Sequence, residues 1–137
     1  MLEMPPPPTS ELFRPFAKQR YLNFESYRRN GDAVRTPLWF VEMDGSLYVR
    51  TPDDTSKLKR IRRNPHVRVA VCDIRGRLKG DWVDATARIV EGPEADRANR
   101  LLSRKYGLLK LLIDLGTWLR RHGYVVIVVE ARETSGG

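Results

Sequence analysis

The sequence predicts a mainly β protein with appended helices (α+β), built on a six-stranded antiparallel Greek-key barrel. Two dipeptides that favour tight hairpin turns, Asn30-Gly31 and Asp44-Gly45, separate segments rich in β-branched and aromatic residues. The segments do not alternate strand with helix, as a parallel sheet would require. A chain of 137 residues that is 41% hydrophobic is long enough for one domain with one core.

The two ends of the chain predict tails. Residues 1–9, MLEMPPPPT, contain four consecutive prolines, which favour polyproline II and a disordered segment. Ser10 followed by Glu11 is typical of a helix start, so a short helix is expected to continue to about Leu22. The folded domain is therefore predicted to span residues 10–133, with a frayed tail at 134–137.

Hydrophobic alternation predicts the strands, and turn residues bound them. The six predicted strands are Asn23–Arg29, Ala33–Met43, Ser46–Thr51, His66–Asp73, Gly80–Glu91 and Gly123–Arg132.

Three further helices are predicted from caps, stops and apolar spacing. Ser56–Arg63 follows several possible caps and stops before Asn64-Pro65. Pro93 suits the first position of a helix that runs to about Tyr106. Leucines at helical spacing predict another helix over Gly107–Arg121.

The charge of the chain favours an anionic partner. The formal net charge is +8 and the sequence pI is about 10.1, which suits nucleic acid, a membrane surface or a polyanionic small molecule. A basic run contains Lys59, Arg60, Arg62, Arg63 and Arg68. Aromatic residues do not interleave with it, as a reader of single strands would need, so nucleic acid is not favoured. A solvated helix face and a contact with a polyanionic cofactor tail remain open.

Other features set the expected location and exclude several chemistries. No secretory signal and no run of about 18 apolar residues is visible, so we expect a cytoplasmic protein without a membrane partner. Cys72 lies in an apolar run and is predicted to be a buried thiol. The two histidines lie far apart in the sequence, and no metal-ligand, triad or glycine-rich nucleotide spacing is present. We therefore predict no metal site and nominate no catalytic residue.

The junction between the third strand and the next helix predicts a phosphate site. Thr51, Ser56 and Lys57, with Arg50 beside them, bring hydroxyls and positive charges to a helix N-terminus, where backbone N–H groups lack partners. The alternative interpretation is a well-capped surface helix whose charges are solvated.

The segment Arg35-Thr36-Pro37-Leu38-Trp39 predicts a wall for a planar ring. Pro37 removes one ladder donor, so the strand is expected to be open or at an edge there. A free backbone edge could hydrogen-bond a flat heterocycle. The alternative is an edge strand protected by its proline.

The order of these motifs resembles a known family. Asn30-Gly31, RTPLWF, Asp44-Gly45, LYVRT, the Ser-Lys helix start, RRNP, HVRVAVCD and GDWVDATARIVE follow one another over Tyr21 to Glu91. This pattern resembles the flavin/deazaflavin oxidoreductases, split β-barrel proteins related to pyridoxamine 5'-phosphate oxidase, and the last strand matches more loosely. The resemblance implies a six-stranded split barrel that forms a homodimer with two cofactor sites at its interface.

The resemblance also implies roles for individual residues. In the oxidases, residues at the places of Arg35, Thr51, Ser56 and Lys57 contact the flavin phosphate. Ser56 stands where those oxidases usually keep an arginine, which weakens the case for FMN. RTPLWF and SKxxRIRRNP look more like the actinobacterial branch that binds coenzyme F420, a deazaflavin with a phosphate and a polyglutamate tail.

The implied function is hydride transfer between F420 and an unidentified organic substrate. The alternatives are an FMN-binding oxidoreductase on the same fold, and a non-enzymatic cofactor carrier or basic nucleic-acid-binding barrel. The ring of the cofactor is expected to lie along Arg35, Thr36, Pro37, Leu38 and Trp39. Its phosphate is expected to bind Arg50, Thr51, Ser56 and Lys57, and its tail Arg60. Arg75 or Trp82 of the second subunit is expected to close the site.

Overall fold

A computed structural model of the protein describes residues 9–52, 56–114 and 124–132. Both predicted tails lie outside these residues, except for Thr9. Part of the C-terminal end of the predicted domain also lies outside them. So do the cap residues 53–55 and the last part of the helix predicted over Gly107–Arg121.

The described chain contains a 3-10 helix, seven strands and two α-helices, so the prediction of a mainly β, antiparallel fold with few helices is confirmed. In chain order these elements are the 3-10 helix Thr9–Phe16, β1 Tyr21–Tyr27, β2 Ala33–Leu38, β3 Phe40–Met43, β4 Ser46–Pro52, α1 Ser56–Arg63, β5 His66–Cys72, β6 Val83–Val90, α2 Gly92–Asp114 and β7 Tyr124–Ala131.

The strand count of six is wrong because the predicted strand Ala33–Met43 is broken at Trp39. Its first part, β2, pairs with β1, and its second part, β3, pairs with β4. The strands form one antiparallel sheet in the order β2-β1-β5-β6-β7-β4-β3. The two edge strands are consecutive in the chain, so the sheet must curl until its edges come together at Trp39. No ladder joins those edges among the described residues, so the sheet is not a closed barrel.

Turn chemistry explains the two hairpins. Asp44 and Gly45 both have positive φ, 54° and 83°, as a type I′ turn between β3 and β4 requires. Gly31 has a φ of 93°, and its N–H donates to the Arg28 carbonyl in the connection between β1 and β2. That connection is longer than the predicted two residues, since β1 ends at Tyr27.

Two apolar clusters lie on the two faces of the curled sheet. The inner cluster is built by alternate residues of the strands, the 3-10 helix and α1, with Phe13, Phe24, Phe40, Leu58 and Ile127 among its members. The outer cluster joins β3, β4, β6 and β7 to α2; among its members are Val41, Tyr48, Ala98, Leu102 and Val128. The two-residue period of the strands therefore sets which face each site residue occupies.

The structure corrects the first of the predicted helices and retains the break between the last two. The first is a 3-10 helix that ends at Phe16, and β1 already begins at Tyr21, because Leu22 and Phe24 pack in the inner cluster as strand residues. Gly107 has a non-helical conformation (φ 58°, ψ −138°), and this kink divides α2 into two helical parts where the sequence predicts two helices. Within the described residues no helix is both long and apolar enough to cross a membrane.

Candidate functional site

The end of β4 and the start of α1 bring Thr51 and Lys57 together. Thr51 shares the inner face of β4 with Leu47 and Val49 and is fully buried. The ammonium Nζ of Lys57 donates to Thr51 Oγ1 at 3.4 Å, a long contact. Ser56 is exposed as the first residue of α1, whose first turn contains no acidic residue.

Lys57 is a buried cation that forms no ion pair with any carboxylate of the described residues. Only 6% of the residue is exposed. Burial, followed by repulsion from Arg60, lowers the pKa of Lys57 to about 8. The ammonium is therefore mostly charged at neutral pH, and an anion beside it would offset its lost hydration.

Arg60 extends this positive region outward along α1. Its Nε donates to Ser26 Oγ at 2.8 Å, and Ser26 is fully buried on the inner face of β1. The pKa of Arg60 is lowered by burial and then by repulsion from Arg28 and Arg63. Cations thus lie close together from the buried ammonium of Lys57 to the surface.

Arg35 and Trp82 belong to a second cluster, on the opposite face of β1. Glu25 is fully buried there and accepts from Arg35 Nε at 2.7 Å, from Arg68 Nε at 2.6 Å and from the Tyr27 hydroxyl at 2.6 Å. Burial alone would raise the pKa of Glu25, but these hydrogen bonds and the charge of Arg68 outweigh it and lower the pKa to about 2.

Trp82 packs against the same two arginines. The guanidinium carbons of Arg35 and Arg68 lie 5.3 and 4.8 Å from its ring centre. Because Glu25 and Ser26 are consecutive on β1, they face opposite sides of the sheet. The Glu25 cluster is thus separated from the Lys57 region by the strand itself.

The rest of the segment Arg35–Trp39 divides between several environments. Thr36 lies opposite Phe24, and exposed Pro37 lies opposite Asn23 on β2, which is an edge strand of the described sheet, as predicted. Leu38 packs partly into the inner cluster. Trp39 instead stacks on Tyr106 of α2, with ring centres 4.4 Å apart and planes 6° apart.

The two remaining predicted site residues lie away from these groups. Arg75 is exposed in the turn between β5 and β6, where its N–H donates to Asp73 Oδ1 at 2.8 Å. Arg50 lies on β4 opposite Val126, on the outer face of the sheet. The structure thus joins Thr51, Lys57 and Arg60 at one place and Arg35 and Trp82 at another. Cofactor binding by these residues stays a prediction.

Sequence reasoning missed Ser26, Glu25 and Tyr106. Ser26 lies two residues after Phe24 and four after Leu22, so it faces the same side of the strand. This spacing would have identified it as a polar residue on the core side. The two arginine partners of Glu25, which come from β2 and β5, could not be predicted from the residues around it. In the described part of the chain, no group of three His, Cys, Asp or Glu side chains could hold a metal ion.

The sequence of residues 9–136 matches the family described as pyridoxamine 5'-phosphate oxidase. No characterised protein matches the chain by sequence at a significant level. Solved structures share its fold.

A conserved hypothetical protein of Mycobacterium tuberculosis is 22% identical with a TM-score of 0.67, covering 96% of this chain and 83% of that protein. An FAD-binding protein of Mesorhizobium loti is 18% identical with a TM-score of 0.63, covering 90% and 87%. The heme storage protein HutZ of Vibrio cholerae is 12% identical with a TM-score of 0.66, covering 90% and 89%.

Proposed function

Because the chain belongs to the pyridoxamine 5'-phosphate oxidase family, we propose that it is an oxidoreductase that binds a phosphorylated deazaflavin, coenzyme F420, and transfers a hydride between it and an organic substrate. The observation that carries the proposal is the buried ammonium of Lys57 beside the Thr51 hydroxyl, with no carboxylate in an ion pair with it among the described residues.

The donor set of this site fits a phosphate. An ammonium and a hydroxyl meet at the start of α1, where Ser56 adds a second hydroxyl and the helix dipole is positive. A phosphate placed there would give Lys57 the counter-charge that the described chain does not supply.

The cations beyond Lys57 support a cofactor with more than one anionic group. Arg28 and Arg63 lie close enough to Arg60 to repel it, and no acidic residue lies in the first turn of α1. A polyglutamate tail would be attracted to such a surface. This charge arrangement, together with Ser56 and the RTPLWF segment, favours F420 over FMN in the proposal.

The ring of the cofactor would lie along the segment Arg35–Trp39. As an edge strand, β2 has one side without a ladder among the described strands, so backbone groups there are available to a planar heterocycle. When bound, the deazaflavin supplies the hydride chemistry; the protein holds its phosphate, orients its ring and excludes water. We further propose a homodimer in which Arg75 or Trp82 of the second subunit closes the site.

FMN is the second candidate, since an FAD-binding protein shares this fold. Titration of the cofactor-free protein with F420 and with FMN, followed by fluorescence quenching of each, separates the two. Tight F420 binding with weak FMN binding supports the proposal, and the reverse moves the protein to the flavin alternative. Binding of neither, with salt-sensitive binding to random DNA, would favour the basic nucleic-acid-binding barrel. Binding of F420 without oxidation or reduction of any acceptor would favour a carrier.

A further inference from the structure

A cavity of about 530 Å³ lies at the other end of β1 from Ser26 and Arg60. Its lining includes Tyr21 and Cys72, which face each other across the β1–β5 ladder, and the residues Lys18, Arg20 and Lys79 around them. Tyr21 is five residues from Ser26 along the strand, a separation of about 17 Å.

We propose that this basic cavity binds a small organic anion, with its carboxylate or phosphate held by Lys18, Arg20 and Lys79 and its apolar part against Tyr21. The size suits such a ligand, because small-molecule sites usually occupy a few hundred Å³. The proposal goes beyond the proposed function and does not depend on F420.

The charges that line the basic cavity are unbalanced. Its one lining carboxylate, Asp73, is already engaged within its own turn, because it accepts from the N–H groups of Arg75 and Arg77 at 2.8 and 2.9 Å and from Arg77 Nε at 3.2 Å. Within the described part of the chain, the hydrogen-bond acceptor of Lys79 Nζ is the neutral Gln19 Oε1, at 3.3 Å. Among the described residues, none of the three lining cations is in an ion pair.

The backbone around the basic cavity is held by hydrogen bonds on both sides. The Tyr106 hydroxyl lies 2.8 Å from the Arg20 carbonyl, and the Gln19 N–H donates to the Phe16 carbonyl at 3.1 Å. On the other side, the Lys79 N–H donates to the Val71 carbonyl at 2.8 Å. The cations are therefore presented by a preformed frame, which lowers the entropic cost of binding.

Lys18 holds a backbone conformation that favours glycine. Its φ is 65°, and a side chain in this left-handed region costs free energy that glycine avoids. A lysine at this position is therefore unfavourable for the fold alone. Binding of an anion by the Lys18 side chain would explain why a lysine occupies this strained position.

The test follows backbone amide signals of the full chain by NMR at low salt, with phenyl phosphate and benzoate as anionic probes and benzyl alcohol as the neutral probe. We expect the signals of Gln19 and Ile74, which line the cavity, to shift with both anions and not with the alcohol. Shifts with only one anion identify which headgroup the site takes. An equal response to the alcohol, or no response to either anion, would overturn the proposal.

A matched pair of variants tests the role of charge. Arg20→Gln should weaken anion binding at the basic cavity by about threefold to tenfold, as expected for one of several charge-assisted contacts. Arg29→Gln makes the same change at an exposed residue just beyond the other end of β1 and should leave anion binding at the basic cavity unchanged. If the two variants lowered the anion affinity equally, binding would depend only on the net charge of the protein. The proposed site would then be ruled out.

Lys18→Gly separates binding from folding, because the two effects have opposite signs. The substitution should raise the melting temperature, because glycine adopts the left-handed conformation without strain. It should also lower the affinity of the basic cavity for the anionic probes. Unchanged anion affinity in this variant would remove Lys18 from the site, and unchanged affinity in Lys79→Gln as well would overturn the proposal. Signals of Ser56 and Leu58 report the proposed phosphate site separately, so either proposal can fail alone.

Discussion

The hydroxyl of Tyr106 hydrogen-bonds both backbone groups of Phe40, immediately after the break between β2 and β3. It accepts from the Phe40 N–H at 3.0 Å and lies 2.9 Å from the Phe40 carbonyl and 2.8 Å from the Arg20 carbonyl. A residue of α2 thus supplies hydrogen bonds where the chain passes from one edge of the sheet to the other. The Tyr106 ring at the same time stacks on Trp39.

Removing that hydroxyl should destabilise the protein. Tyr106→Phe keeps the stacked ring but leaves the buried Phe40 N–H without its partner, so the free energy of unfolding should fall by about 1–3 kcal/mol. Urea denaturation measures this. Tyr21→Phe is the control, since the structure gives the Tyr21 hydroxyl no hydrogen bond among the described residues. Similar losses in both variants would show that the Tyr106 hydroxyl does not hold this junction.

Lys57→Ala should weaken cofactor binding with little change in melting temperature. Loss of a charge-assisted contact to the phosphate should cost about 1.5–3 kcal/mol of binding free energy. Lys59→Ala, on the exposed side of the same helix, should have a much smaller effect on FMN, which has no tail. A Lys57→Ala protein that unfolds but keeps its affinity would rule out the phosphate site.

The cofactor-free protein should become more stable as the pH rises from about 8 to 10.5. Because the folded-state pKa of Lys57 is lowered to about 8 from 10.5, the unfolded chain binds more protons in this window, and stability rises with pH there. The gain from Lys57 should be about 2–3 kcal/mol. Lys57→Met removes it, and Lys105, whose pKa is also about 8, contributes equally to both proteins. Parallel stability curves for wild type and Lys57→Met would contradict this.

Glu25 should stabilise the fold above its unfolded pKa and lose that effect in acid. Its folded-state pKa of about 2 lies below the ordinary 4.5, so its contribution is complete above 4.5 and disappears as the pH falls toward 2. Glu25→Gln should lower the free energy of unfolding at pH 7 by about 1–3 kcal/mol, because two partly exposed arginines lose their charged acceptor. Its stability should also depend less on pH in this window.

Glu42→Gln on the exposed position of β3 is the control for Glu25→Gln. Thermal melts between pH 2 and 7 compare the two. A pH dependence that persists in Glu25→Gln would show that other carboxylates govern the acid transition.

Gly76→Ala should cost more stability than Gly31→Ala. Both glycines have positive φ, 86° and 93°, so both substitutions incur backbone strain of about 1 kcal/mol. Only at Gly76 would the new Cβ lie 3.3 Å from a side-chain atom, Cγ of Pro37, whereas nothing lies within 4 Å at Gly31. The difference between the two variants in urea denaturation therefore measures the contact of this turn with the edge strand β2. An equal loss of stability in the two variants would mean that Pro37 moves aside without measurable cost.

Much of the local structure was predictable because neighbouring residues encode it. Asp44-Gly45 forms the tight turn that this dipeptide favours between paired strands. The helix α1 has the predicted bounds Ser56–Arg63, because Asn64-Pro65 ends it. Lys57 was predicted as a site residue from the helix start. Its burial could also have been predicted, since it lies four residues before Ile61 on the apolar side of α1.

The sequence by itself determined the antiparallel, mainly β class, the turns and the Thr51–Lys57 junction, since these depend on short-range propensity and periodicity. Only the tertiary structure decided the break at Trp39, the burial of Glu25 between Arg35 and Arg68, and the contact of Tyr106 with Phe40. The physical reason is that the free energy of a polar group depends on whether it is buried with a partner. Those partners come from strands and helices up to 66 residues away in the chain, which no local pattern specifies.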